Sequence, residues 1–293
     1  MTSSWMLVAG ALFATMGAFA KLLSSQFSGA ELALYRSVVA LVAVGAVVLV
    51  RRQSIATPHW RGHFWRGATG TVSLIGYFYT MTQLPLATAI TLNYTSPLWL
   101  TVLSTLLLRE RFRPILVVAI LLGMAGVMLL LQPTFSDDNV SAGLIGLASG
   151  FFAACAYVNV KKLGAAGEPE WRVVFYFGAA GLIGSGVVQW LWQGTFNAVT
   201  PANVWPLLAM GLAATIAQLA MTRAYHSGNT LVVGAFAYST VIFAALFGWI
   251  FFDEKLPPVA WAGMAIIVAS GLLAKLASEK KTDTRPTLPA EED

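Results

Sequence analysis

Long runs without a formal charge, separated by short charged or proline-bearing stretches, organise the chain. They cover residues 4–20, 67–84, 85–108, 114–132, 139–160, 173–194, 201–222, 229–252 and 256–274, and one more at 32–50 is interrupted only by Arg36. About 20 apolar residues of helix cross the roughly 30 Å hydrocarbon core of a bilayer. Inside lipid the backbone must satisfy its own hydrogen bonds, which leaves helices or closed barrels. Barrel strands alternate apolar and polar positions, and these runs do not. The pattern predicts an all-α integral membrane protein with ten transmembrane helices. Nothing near the first run has the basic start or small-residue cleavage site of a signal peptide, so it reads as a retained helix.

The second half echoes the first at a constant shift of 144 residues. Tyr94-Thr95-Ser96 returns as Tyr238-Ser239-Thr240, Glu110 as Glu254 and Pro114 as Pro258. Five spans per copy is an odd number, so the copies are expected to enter the membrane from opposite sides. The loop chemistry agrees: Arg109-Glu110-Arg111 becomes Asp253-Glu254-Lys255. With the N-terminus inside, fifteen of the 18 Lys and Arg fall on the cytoplasmic side, Arg66 and Arg113 among them. Lys21 and Lys255 fall outside, and the positive-inside rule then predicts both termini in the cytoplasm. The expected organisation is a first repeat at 1–136, an inverted second repeat at 137–277 and a disordered cytoplasmic tail at 278–293. Inverted repeats characterise secondary transporters, whose solute site lies where the halves meet.

Composition narrows the chemistry. Only 11% of residues are charged against 57% hydrophobic, too few polar groups to cover a soluble domain. The net charge of +5 sits in short loops, which fits an anionic membrane surface better than a nucleic acid. The single cysteine, Cys155, falls in mid-span and reads as a packing residue. His59 and His63 have metal-compatible spacing but no Cys or carboxylate close in sequence, and read as a solvated pair. No glycine-rich loop with lysine is present to cradle a nucleotide. Neither a metal nor a cofactor is expected, nor an enzyme; a membrane-embedded enzyme or a passive pore is the alternative from another class.

Two segments carry a family resemblance. One is Ala89-Ile90-Thr91-Leu92-Asn93-Tyr94-Thr95-Ser96-Pro97-Leu98-Trp99, continuing to Arg109-Glu110-Arg111-Phe112; the other is its copy, closing in Gly248-Trp249-Ile250-Phe251-Phe252-Asp253-Glu254-Lys255-Leu256. Each precedes a glycine-rich helix. The chain resembles the drug/metabolite transporter superfamily, in its ten-helix type with two EamA-like repeats, over residues 4–277. The resemblance implies a bacterial inner-membrane exporter of small metabolites, amino acids or toxic organic compounds. The partners expected are the lipid bilayer and a small-molecule solute; sequence leaves the oligomeric state open, and a monomer is compatible with it.

Polar side chains inside lipid are costly and mark cavities or helix contacts. The run at 85–108 holds the densest set, and Asn93, Tyr94 and Trp99 are its candidates for solute binding, with Pro97 kinking the helix beside them. Tyr77, Tyr79, Tyr157, Asn159, Tyr176, Gln218 and Tyr238 complete the candidate wall; aromatic surfaces with a few hydrogen-bonding groups suit neutral or zwitterionic solutes. Arg36 and Glu31 are read as charges at the outer mouth, with Arg36 chiefly structural, snorkelling or pairing with Glu31. No acidic residue falls at midplane depth, so transport is expected to run down the solute gradient or to couple through Glu31. The function predicted is export of amino acids, aromatic and other neutral ones included, by alternating access; drug-like organic cations are the alternative solutes.

Overall fold

In the computed structural model the described residues are 2–84, 86–108, 113–133, 140–251 and 255–279. A short 3-10 turn at Thr2–Ser4 leads into α1 (Trp5–Leu23), α2 (Gly29–Val50), α3 (Trp60–Gln83), α4 (Leu86–Asn93), α5 (Ser96–Leu107) and α6 (Pro114–Leu131). The second half holds α7 (Val140–Ala165), α8 (Glu170–Gln193), α9 (Val204–Ser227), α10 (Thr230–Ala237), α11 (Ser239–Phe251) and α12 (Pro258–Glu279). No strand occurs among these residues. The repeat marks Arg109 to Phe112 and Phe252 to Glu254, the acidic pair Asp137 and Asp138, and residues 280–293 of the expected tail lie outside the described residues.

Eight helical stretches among the described residues are long and apolar enough to cross a membrane, counting α10 and α11 as one. The third helix is long but more polar, because Arg61, His63, Arg66, Thr69, Thr71 and Ser73 all lie in it. The outward faces are apolar: Leu49, Leu106, Ile183 and Leu191 are each more than 60% exposed. Trp60, Trp65, Trp190, Trp192 and Trp205 are also exposed, near helix ends, as amphipathic rings at a lipid–water boundary would be.

Local chemistry sets the boundaries. Ser28 caps α2 by accepting from the Glu31 amide at 3.1 Å, while the Glu31 carboxylate accepts from the Ser28 amide at 2.9 Å, a reciprocal capping box. Asn229 caps α10 through the Leu231 and Val232 amides. Left-handed residues at Gln132 and Gly194 end α6 and α8. Pro114 opens α6 and Pro258 opens α12 at first-turn positions, where the missing N–H has no helical partner to lose.

The 144-residue echo has a clear structural counterpart. α4 gives way to α5 at Tyr94-Thr95, and α10 gives way to α11 at Tyr238, so the tyrosine pair marks the break in each half. Pro97 lies in the first turn of α5, beyond the break. Mates at the repeat shift pack antiparallel. Along α6 and α12, Gly123 faces Ser270, Gly126 faces Ile267, and Gly263 faces Leu130. Along α2 and α8, Leu34 faces Gly186, Ser37 faces Gly181, and Leu41 faces Gly178. Contacts also exchange between halves: α3 packs on α7 as α9 packs on α1, and α5 on α7 as α11 on α1.

Candidate functional site

A cavity of about 650 Å³ lies between the halves. It reaches Lys21, Gln132, Lys255 and Pro257 at one end of the bundle and extends inward to Met6, Arg66, Tyr157 and Gln218. Past that floor the helices are tied together. Tyr157 stacks on Tyr225 with centroids 4.9 Å apart. Lys161 Nζ donates to the Gly228 carbonyl at 2.7 Å, and Gly164 leaves room for the His226 ring. Thr2 Oγ1 donates to the Ser227 carbonyl at 3.4 Å.

Of the candidates read from sequence, the fold brings Tyr77, Asn93, Tyr94, Tyr157, Gln218 and Arg36 to this one cavity. The break after α4 puts Asn93 and Tyr94 at its wall, and Asn93 Nδ2 is fixed by donating to Ser149 Oγ at 3.0 Å. The other candidates lie elsewhere. Trp99, expected well inside, is 39% exposed and packs edge-on against Phe151. Tyr238 is fully buried in the main apolar core, with its ring against Gly123. Asn159 Nδ2 donates back to the Cys155 carbonyl of its own helix at 2.9 Å. The Tyr176 hydroxyl donates to the Ile55 carbonyl at 3.1 Å, and Tyr79 sits near Trp192.

Three expectations about charge need correction. Glu31 is not at an open mouth and does not pair with Arg36. It is fully buried, and it holds the 194–203 segment by accepting from the amide and side chain of Asn197, besides capping α2. Arg36 is not a snorkelling residue. It is 8% exposed, lines the cavity, and directs Nη1 at the Met16 sulfur, 3.9 Å away. Arg66, assigned to a loop because it borders an uncharged run, sits inside α3 at 2% exposure and also lines the cavity. The signal for it was Pro58, which marks the helix as starting near residue 60 rather than at 67.

Arg66 and Arg36 share one aromatic partner. Their guanidinium carbons lie 3.9 and 5.7 Å from the Phe177 ring centroid. A cation–π contact stabilises by about 0.5–2 kcal/mol, whereas removing a charge from water costs several kcal/mol. The ring therefore leaves most of the cost standing. Among the described residues no carboxylate lines the cavity; its charged lining is Lys21, Arg36, Arg66 and Lys255. Gln218 Nε2 and Arg66 Nε and Nη1 are buried without a protein hydrogen-bond partner. Buried polar atoms are normally paired, so these donors are available to something entering the space.

His59 and His63, expected to be solvated, meet a carboxylate from far along the chain. Glu168, in the turn between α7 and α8, is bound by His59 Nδ1 at 2.9 Å, His63 Nε2 at 3.2 Å and Arg172 Nη1 at 2.8 Å, and by the Thr57 hydroxyl. Burial opposes ionisation of Glu168, but hydrogen bonds from Thr57, Arg172, His59 and His63 outweigh it and hold its carboxyl at about 2. The cluster ties the segment before α3 to the α7–α8 turn. No group of three potential metal ligands in holding geometry occurs among the described residues.

Membrane-length apolar helices packed around a central cavity are the frame of a multi-span membrane protein. Residues 1–132 and 140–275 match the profile of the EamA-like transporter family, and the chain belongs to that family. It is similar to a pseudopaline exporter of Pseudomonas aeruginosa (strain UCBPP-PA14), 29% identical over 264 residues that cover 88% of this chain and 90% of that protein. A riboflavin transporter of Vibrio cholerae is 31% identical over 272 residues, covering 91% and 90%. A solved crystal structure shares the fold, with a TM-score of 0.78 at 21% identity over 95% of this chain and all of its own.

Proposed function

We propose that the chain is a secondary transporter that exports small organic metabolites bearing a carboxylate, amino acids foremost, by alternating access. The observation that carries this reading is the cavity itself: it is lined by helices of both halves, reaches one end of the bundle and is tied shut toward the other. On this reading α3 and the broken pair α4–α5 join the eight apolar stretches as spans. That gives ten, in two inverted five-span halves divided near residue 136, with both termini cytoplasmic. The charge distribution along the loops supports that orientation, and the open end is then the outer one. Two similar halves of opposite orientation can exchange shapes at little cost in energy, which is the physical basis of alternation. The outward direction is supported by the exporter among the relatives. Tyr77, Asn93, Tyr94, Tyr157 and Gln218 would contact the solute, and the membrane is a bacterial inner membrane.

Proteoliposomes loaded with labelled phenylalanine, tryptophan or alanine test it. The expected result is saturable efflux without ATP, well above that of protein-free vesicles. Efflux of ethidium with none of the amino acids would overturn the solute class. No flux of either kind would overturn transport.

A further inference from the structure

We infer that Arg36, Arg66 and Phe177 form an anion subsite that receives the carboxylate of the solute, so the cavity selects acids and excludes organic cations; this rests on reading the cavity as the transport site. The two arginines come from different helices, α2 and α3, and meet at a ring supplied by α8. Both are more than nine-tenths buried, and both line the same space. Arg66 leaves Nε and Nη1 without a protein partner, and the donor contact of Arg36 is a thioether, a weak acceptor. A guanidinium lying over a ring uses its face, while its in-plane N–H donors remain free for a bidentate acceptor.

The two buried carboxylates among the described residues, Glu31 and Glu168, do not serve these cations. Glu31 is consumed by Ser28 and Asn197, and Glu168 by Thr57, two histidines and Arg172. Two like charges in one low-dielectric space repel each other, and an anion between them relieves both the repulsion and the lost hydration. Lys255 also lines the cavity, at its open end. The aromatic side chains of Tyr77 and Tyr157 then face the apolar body of the solute.

Three probes with one ring and different charge test the subsite: 3-phenylpropionate, phenylalanine and phenethylamine. Binding to the purified full chain in detergent at neutral pH is measured by titration calorimetry. The acid is expected to bind at least about tenfold tighter than the amine, as charge-assisted hydrogen bonds would give, with phenylalanine between them. Arg36→Gln and Arg66→Gln should each weaken acid binding about tenfold or more and shrink the gap between acid and amine. If either glutamine variant fails to give a monodisperse peak, Arg36→Lys or Arg66→Lys takes its place; with the charge kept and the fork lost, it should bind the acid more weakly than wild type and still reject the amine. Equal binding of acid and amine, no binding of the acid, or acid binding unchanged by the substitutions overturns the proposal. The transport reading fails separately: acid-selective binding without flux of 3-phenylpropionate in proteoliposomes leaves the subsite standing, and flux without acid preference leaves transport standing.

Discussion

Gly263→Leu is expected to abolish recovery of folded protein after detergent extraction. At this position α12 lies directly against α6. A Cβ built on Gly263 meets the Gly126 carbonyl oxygen and the Leu130 amide nitrogen at 2.7 Å each, and one built on Gly126 meets the Gly263 oxygen at 2.8 Å. Those atoms belong to backbone, which cannot rotate away as a side chain can. The helices must separate, and overpacking of this kind costs about 3 kcal/mol or more. Close approach through small residues is how membrane helices associate, since lipid gives no hydrophobic drive between them. Gly143→Leu is the control, because nothing lies within 4 Å of a Cβ added there. Size-exclusion profiles should lose the monodisperse peak for Gly263→Leu and keep it for Gly143→Leu. Equal recovery of both would remove the α6–α12 contact from the account.

The second large effect is expected at Glu168. Glu168→Gln preserves shape but removes the charge that His63, Arg172 and Thr57 converge on, and the Glu168 side chain is only 3% exposed. Leaving such partners without their anion costs about 2–3 kcal/mol. The pH dependence has a definite sign. An unfolded glutamate titrates near ~4.3, and the folded group is depressed to about 2. Its contribution is therefore fully present above about 4.3 and is lost as pH falls toward 2. Thermal midpoints of wild type and Glu168→Gln should differ most at neutral pH and converge in acid. A difference that is constant from pH 7 to 3 would show that the carboxylate charge is not what stabilises the turn.

Much of the fold was legible because apolar run length and the 144-residue echo are one-dimensional signals. The Tyr94 and Tyr238 marks even coincide with the helix breaks, though sequence read only a kink at Pro97. What failed to read was rotation and long-range pairing. Trp99 was placed inside because helix α5 is apolar around most of its circumference, so periodicity does not say which face meets lipid. Arg66 was lost at the boundary of an uncharged run, since charge marks a loop only when the helix ends there. Glu168 lies 105 residues from His63, and no local spacing connects them. The meeting of two arginines at one ring is likewise a product of three helices, visible only once α2, α3 and α8 are assembled.

The central claim is that the cavity opens alternately to the two sides of the membrane, and thiol accessibility tests it. Cys155 is the only cysteine of the chain, so Cys155→Ser gives a clean background. Ser73 lines the cavity and is 7% exposed, and cysteine there is nearly isosteric. Ser73→Cys in that background, reconstituted in oriented vesicles, is treated with a membrane-impermeant thiol reagent from either side. Alternating access predicts modification from both sides, with added phenylalanine raising one rate as it lowers the other. Modification from the Lys21 and Lys255 side alone under every condition, or two rates that rise and fall together as in an open pore, would contradict it.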